Sequence, residues 1–348
     1  MDTEKTRDQS IDLIKTVAIW NVVLSHVAAA PFSGGTVGSG LWLSALLWAS
    51  LTHSSVSLFL MASGALLLPP EREVTWKTLY TRYVPKALAA LFFWAACYKL
   101  VFLALTGGLN PWDLEEAVKN WMLFRHEEHL YYLHIMLLIY AFLPITRMIA
   151  RHADQRLLEY ALALWFLLGI LYPTLRTFWP FTLLSGIPAQ WRMNMAYASI
   201  GYTLLGYYLA AYHPWPRRRS SALLLAAGFL LTFCGTWASS LAAGEPDGHF
   251  LEGMGVGIFL VALGEWGLCR SAALPEWAGR LATGLSRASF CVYLTHVFVL
   301  QFFARRGIRA ADGPVLLTVP AVSLGIIVCC CGAYAVLSRI PWARKWLG

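Results

Sequence analysis

Five of the chain's 9 histidines, His26, His53, His129, His134 and His296, fall within or at the ends of long apolar runs. An ionisable side chain placed inside a bilayer costs roughly 2.5–3.5 kcal/mol or more, so each one asks for a reason. Imidazole titrates near working pH. It takes a proton from a hydroxyl as a general base, or carries a group covalently for part of a reaction. The same ring also caps a helix or bridges two helices by hydrogen bonds. That second reading is preferred for His53 and His134, and for His296 the two stand level. No two of these histidines have the i, i+4 spacing of a zinc helix, and acidic partners at the same depth are few, so no metal is expected. A second constellation is basic. Arg82 and Lys86 lie one helical turn apart, face one direction and suit a phosphate. Spacing alone fits membrane anchoring by positive charge more simply.

These residues must be positioned by membrane helices. The chain has 348 residues, is 58% hydrophobic and only 13% charged, with a mean hydropathy of +0.57. Soluble domains carry about 25% charged residues. Segments long enough to cross a bilayer, about 20 mostly apolar residues each, are expected near 11–30, 41–68, 84–106, 130–149, 157–172, 195–212, 221–242, 250–268, 288–303 and 315–337. The second is long enough to be a broken helix, and the fifth is short with weak boundaries. The fold class expected is therefore all-α: a polytopic membrane bundle of about ten helices, one domain over 1–348.

Most Lys and Arg fall in alternate connections, including Lys5, Arg7, Lys15, Arg72, Lys77, Arg147, Arg151, Arg217 to Arg219, Arg270, Arg280 and Arg339. By the positive-inside rule both termini are cytoplasmic. The cluster Arg305, Arg306, Arg309 falls on the outer side, against that rule, which marks it as a binding feature. The net charge of +8 is spread as loop charge rather than gathered on one polar face, so nucleic acid is not an expected partner. The 7 cysteines lie in or beside apolar segments without a C-x-x-C pair, which reads as buried small hydrophobes. Ala28 to Ala30 resembles a signal cleavage site, but Asn21 and His26 interrupt the apolar region and nine more spans follow, so the first helix is expected to be retained. At about 1.5 Å per residue His26 lies about 16 Å beyond Lys15, and His296 about 10 Å into its span. His129 opens the fourth span at the outer face. Four or five imidazoles are thus expected to line the outer half of one cavity. The outer connection 107–129, with Asp113, Glu115, Glu116, Glu127 and Glu128, is expected to form a cap or substrate rim.

The segment Ile11-Asp12-Leu13-Ile14-Lys15, continued by Val22-Val23-Leu24-Ser25-His26, resembles the first helix of the acyltransferase-3 family. There a basic residue, usually Arg, precedes a His by ten intervening residues. Four further stretches agree in order. Val56 to Ser63-Gly64 is similar to the family's apolar run ending in Ser-Gly, and Arg82 to Lys86 to its basic patch before the third helix. His129-Leu130-Tyr131-Tyr132-Leu133 resembles its His-Leu-Trp-Phe-Leu motif with Tyr for Trp. Ser289-Phe290-Cys291-Val292-Tyr293-Leu294-Thr295-His296 resembles its Ser-Phe-Gly-Ile-Tyr-Leu-x-His helix. Lys15 departs from the usual Arg and loses the planar fork, which weakens the case for its role relative to that of His26. The stretch from His296 to Arg309 also looks like the branch that acetylates enterobacterial common antigen.

The resemblance implies a multi-pass acyltransferase of the bacterial inner membrane that uses acetyl-CoA to O-acylate an extracytoplasmic or lipid-linked glycan. It implies that His26 and His129 are catalytic, and that Lys15, Arg82 and Lys86 meet the CoA phosphates. Ser63, Tyr293 and His296 would meet the substrate, with Ser63 or Tyr293 donating to the oxyanion. The rival reading is a polysaccharide or small-molecule transporter whose buried histidines relay protons. Against it, spans one to five show no repetition in six to ten, whereas many such transporters are built from repeats. Small residues such as Gly201, Gly206 and Ala210 fit packing within the chain or across a homo-oligomer.

Overall fold

The chain folds, in a computed structural model that describes residues 7–107, 110–212 and 218–346, into a bundle of apolar helices. Lys5 and Arg217, two of the charges used to orient the chain, lie outside the described residues. In chain order the helices are α1 (Gln9–Gly34), α2 (Gly40–Thr52), α3 (Ser55–Leu67), α4 (Trp76–Thr106), α5 (Pro111–Met122), α6 (Glu128–His152) and α7 (Gln155–Leu175). There follow α8 (Met195–Ala211), α9 (Arg218–Ala243), α10 (Val256–Arg270), α11 (Glu276–Arg305), α12 (Val315–Leu337) and a short α13 (Pro341–Trp346). Among the described residues 9 segments are long and apolar enough to cross a membrane, counting α2 with α3 as one. Helix α8, with 17 residues, is just long enough to be the tenth crossing.

Local sequence sets the boundaries. Asp8 caps α1 by accepting from the Ser10 and Ile11 amides. Ser39, Asn110, Asp154 and Asn194 do the same for α2, α5, α7 and α8, each satisfying an amide the helix cannot. Pro111 at the start of α5 follows its Asn cap, a position where proline's missing N–H costs nothing. The second span is broken, as its length foretold: α2 ends at Thr52, and α3 begins at Ser55 after His53 and Ser54. The fifth span contains a π-helical turn at Leu167–Leu171 followed by Pro173, which accounts for its weak helical outline in the sequence.

Helix α1 is central, packing against α2, α3, α10, α11 and α12. It runs parallel to α11, because Thr16 donates to the Ala282 carbonyl near their starts and His26 meets His296 further along. Helix α12 returns antiparallel to α11, so the first and last described residues share one face of the bundle, hereafter the terminal face. Asp12 fixes the lower ends of α1 and α11. It accepts from Nε and Nη2 of Arg7 and from the hydroxyls of Ser286 and Thr283. Outside the span, burial pushes the Asp8 carboxyl up, but Ser10 and Arg270 outweigh it and hold it below its usual range.

Small residues allow backbones to touch. A Cβ on Gly64 of α3 would stand 1.8 Å from the Thr203 carbonyl oxygen of α8, and one on Gly206 would stand 2.0 Å from that of Met61. Gly201 likewise abuts the Trp165 ring. Gly201 and Gly206 therefore pack within the chain, and Ala210 packs partly buried against the same core, as membrane helices associating without a hydrophobic driving force require.

Candidate active site

Three of the sequence-marked histidines meet. The His26 and His296 rings lie edge-on with centroids 4.7 Å apart, and His129 stands 6.0 Å from His296. Their helices, α1, α6 and α11, each supply one ring. The His26 Nδ1 lies 2.8 Å from the Val22 carbonyl oxygen. The His296 Nδ1 lies 2.7 Å from that of Tyr293 and 3.2 Å from that of Val292. A carbonyl only accepts, so in each ring Nδ1 carries the proton and Nε2 keeps its lone pair. His296 is buried, and its Nε2 and that of His129 are shielded without a hydrogen-bond partner among the described residues. A carbonyl of the preceding helical turn, Val22 for His26 and principally Tyr293 for His296, thus does in this bundle what a carboxylate does elsewhere. It fixes the tautomer that leaves a basic nitrogen facing inward.

His53 and His134 take other places. His53 closes α2 with its Nδ1 on the Ala49 carbonyl, and His134 pairs with His126 at 3.3 Å. The expectation that four or five imidazoles line one cavity is therefore corrected to a cluster of three rings. The reason is rotation: five residues beyond His129, His134 is turned by about 140° around the helix. The cluster is also not the lining of either large cavity, but lies between them.

The first cavity, about 540 Å³, opens between α1, α3, α4, α6 and α11. Near the terminal face it is lined by Lys15, Arg72, Arg82, Lys86 and Arg287. Its deeper walls are Phe59, Ser63, Tyr132, Leu133 and Tyr293. The structure thus brings Lys15, Arg82, Lys86, Ser63 and Tyr293 to one space. Lys15 also donates to the Ser286 carbonyl at 3.1 Å, so it pins α1 to α11 as well as facing the cavity. Lys86 sits 5.6 Å from the Phe290 ring centre. Arg82 and Arg287 are exposed at the mouth. At the deep end the Tyr293 hydroxyl donates to the His129 carbonyl at 2.6 Å and its ring lies 6.2 Å from His296. Ser63 donates to the Phe59 carbonyl. Tyr293 is therefore the wall between this cavity and the histidines.

The second cavity, about 570 Å³, lies beyond the histidines at the far end of α4, under α5 and beside α11. Tyr98, Lys99, Asp113, Glu116, Asn120, Glu127 and Gln301 are among its walls. Tyr98 packs 4.4 Å from His129 and donates to the Leu294 carbonyl. It separates this cavity from the cluster as Tyr293 separates the first. The outer connection is thus a rim, as its acidic sequence indicated, built around α5. The basic exception Arg305, Arg306 and Arg309 is exposed at and just past the far end of α11, with Arg306 over the Phe302 ring.

Sequence reasoning missed a further polar group within the bundle. Asn21 Nδ2 donates to Glu265 Oε1 at 2.8 Å, and the Ser54 hydroxyl donates to Oε2. Glu265 stood in an apolar run, the signal by which the histidines were found. Arg72, Arg287 and Tyr98 had no pattern of their own. Among the described residues no group of three or more His, Cys, Asp or Glu side chains is placed to hold a metal ion. A family model described as an acyltransferase domain matches residues 8–337. No curated protein and no solved structure matches the chain.

Proposed function

The chain belongs to the acyltransferase-3 family, and from that premise we propose that it moves an acetyl group from cytoplasmic acetyl-CoA to a hydroxyl of an extracytoplasmic or lipid-linked glycan. The observation that carries this reading is the basic cavity, which runs from the terminal face to Tyr293 beside the histidine cluster. A phosphate-rich donor suits Lys15, Arg82 and Lys86, with Arg72 and Arg287 beside them, because guanidinium and ammonium groups bind phosphate by charge-assisted hydrogen bonds. The terminal face is then the cytoplasmic one, and the pantetheine arm follows the apolar part of the cavity upward.

In this mechanism His26 Nε2 removes the proton from the acceptor hydroxyl as its oxygen attacks the thioester carbonyl. The C–S bond breaks, and the proton passes from the imidazolium to the departing CoA sulfur, so the reaction consumes and releases no net proton. Alternatively His26 Nε2 attacks the thioester carbonyl and CoA leaves as its thiolate. The acceptor hydroxyl then attacks the acetyl-histidine, the C–N bond breaks, and the hydroxyl proton passes to the thiolate. His129 orients the acceptor or the imidazole, and His296 contacts the acceptor through its open Nε2. Ser63 or Tyr293 stabilises the oxyanion by exchanging its present carbonyl acceptor for the developing charge. Enterobacterial common antigen is the acceptor suggested by the His296 to Arg309 stretch, and the bacterial inner membrane is the matching location.

A proton-coupled transporter is the second reading. The observation in its favour is Glu265, held in the membrane by Asn21 and Ser54. The test supplies radiolabelled acetyl-CoA to the purified protein and follows CoA release and label transfer in wild type and His26→Ala. Release in the wild type and its loss in a folded His26→Ala variant supports the transferase. No release, with no stabilisation by acetyl-CoA, overturns it in favour of transport.

A further inference from the structure

We propose that the cavity beneath α5 is the acceptor subsite, and that it takes an uncharged or amino-bearing sugar and rejects an acidic one. This rests on the transferase reading above and adds the place and class of the acceptor. The cavity's volume of about 570 Å³ lies within the roughly 300–1,000 Å³ of small-molecule sites. Its lining is mixed in the way a sugar is mixed. Tyr98, Phe102 and Leu103 present apolar faces for the C–H side of a pyranose. The amides of Asn120 and Gln301 both donate and accept, and the carboxylates of Asp113 and Glu116 accept from hydroxyls.

Its charge is what selects. Among the described residues of its wall, Asp113, Glu116 and Glu127 stand against one cation, Lys99, whose ammonium is already committed to Glu127 Oε1 at 3.2 Å and to the Arg125 carbonyl at 2.9 Å. The other Glu127 oxygen is shielded and has no hydrogen-bond partner among the described residues. An unmet acceptor of this kind is costly when empty and favours a donor such as a sugar hydroxyl or ammonium. A uronate carboxylate would meet like charge with no free cation among the described residues of the cavity wall to offset it. The location agrees: Glu127 is two residues from His129, and Tyr98 touches both the cavity and the His129 ring at 4.4 Å. A sugar seated here has the histidine cluster on the other side of one tyrosine.

The test uses the full-length protein in detergent with methyl β-glucoside, methyl β-glucosaminide and methyl β-glucuronide as probes. The readout is the apparent melting temperature against probe concentration. The glucoside and glucosaminide are expected to stabilise the protein, and the glucuronide to bind at least about fivefold more weakly. The double variant Asp113→Asn, Glu116→Gln is expected to narrow that gap, and Asn120→Ala to weaken all three. Stabilisation by none of the probes, equal stabilisation by the glucuronide, or a gap unchanged in the double variant would each overturn the proposal. Acetyl-CoA is titrated into the same samples. A response to acetyl-CoA without one to the sugars removes the acceptor subsite alone, whereas sugar binding without an acetyl-CoA response removes the donor reading.

Discussion

The two cavities on either side of the histidine cluster are nearly equal in size, about 540 and 570 Å³, and opposite in charge. Among the described residues, the one open to the terminal face is lined by Lys15, Arg72, Arg82, Lys86 and Arg287 with no carboxylate, whereas the far one holds Asp113, Glu116 and Glu127 against Lys99. Each ends at a tyrosine, Tyr293 or Tyr98, that touches the cluster from its own side. On the proposed function, fields of opposite sign at the two mouths would favour an anionic donor on one side and repel it on the other. The cluster between them forms no ion pair among the described residues, and the Nδ1 atoms of His26 and His296 face carbonyls of their own helices. On the proposed function, the difference amounts to a division of labour: charge would sort the substrates at the mouths, and the imidazoles would act in the middle.

The sharpest way to break this division is at its centre. His26→Ala is expected to lower acetyl transfer by roughly 10²–10⁴-fold, the usual contribution of a positioned general base, while acetyl-CoA still raises the melting temperature. Loss of both together would mean that His26 builds the donor cavity rather than serving the chemistry. Next in size, Arg82→Ala with Lys86→Ala is expected to raise the KM for acetyl-CoA by about tenfold or more, since hydrogen bonds to charged groups contribute about 1.5–3 kcal/mol each, with kcat changed much less. Titration with salt should sharpen the contrast further. Raising ionic strength from about 0.01 to about 0.15 M shortens the Debye length from about 30 to 8 Å, so acetyl-CoA binding weakens several-fold while binding of an uncharged sugar is unchanged.

The smallest effect concerns the far rim. Burial lowers the pKa of His126 in the connection before α6 below its ordinary 6.5, against the opposing pull of its contact with the Trp121 carbonyl. A base with a depressed folded pKa contributes stability that is complete above about pH 6.5 and is lost as pH falls from there through the folded value. Melting temperature followed from pH 8 to 5 should therefore decline less in His126→Gln than in the wild type.

The fold was largely legible because the length of apolar spans reports directly on a bilayer. The broken second span and the acidic rim followed from length and composition. Within the site, His26, His129 and His296 were marked by the cost of placing imidazole among apolar residues, and Arg82 with Lys86 by one-turn spacing. The exclusion of His134 was legible in principle from its five-residue offset from His129. Glu265 was visible by the rule that found the histidines. What spacing along one helix does not show is pairing between helices. Asn21 meets Glu265 across 244 positions, and Tyr98 meets His129 from a different span. The two tyrosine walls and the cation set completed by Arg72 and Arg287 therefore emerged only from the packed bundle.

The central claim, that donor and acceptor approach one histidine cluster from opposite faces, is tested most directly in vesicles with the protein reconstituted in a single orientation. Radiolabelled acetyl-CoA is supplied only to the side of the chain termini, and free CoA thiol and label are followed on both sides. The account expects CoA to be released on the terminal side in the wild type and not in His26→Ala, with no intact acetyl-CoA crossing. Release only when acetyl-CoA is supplied to the opposite side, or passage of intact acetyl-CoA through the protein, would contradict it.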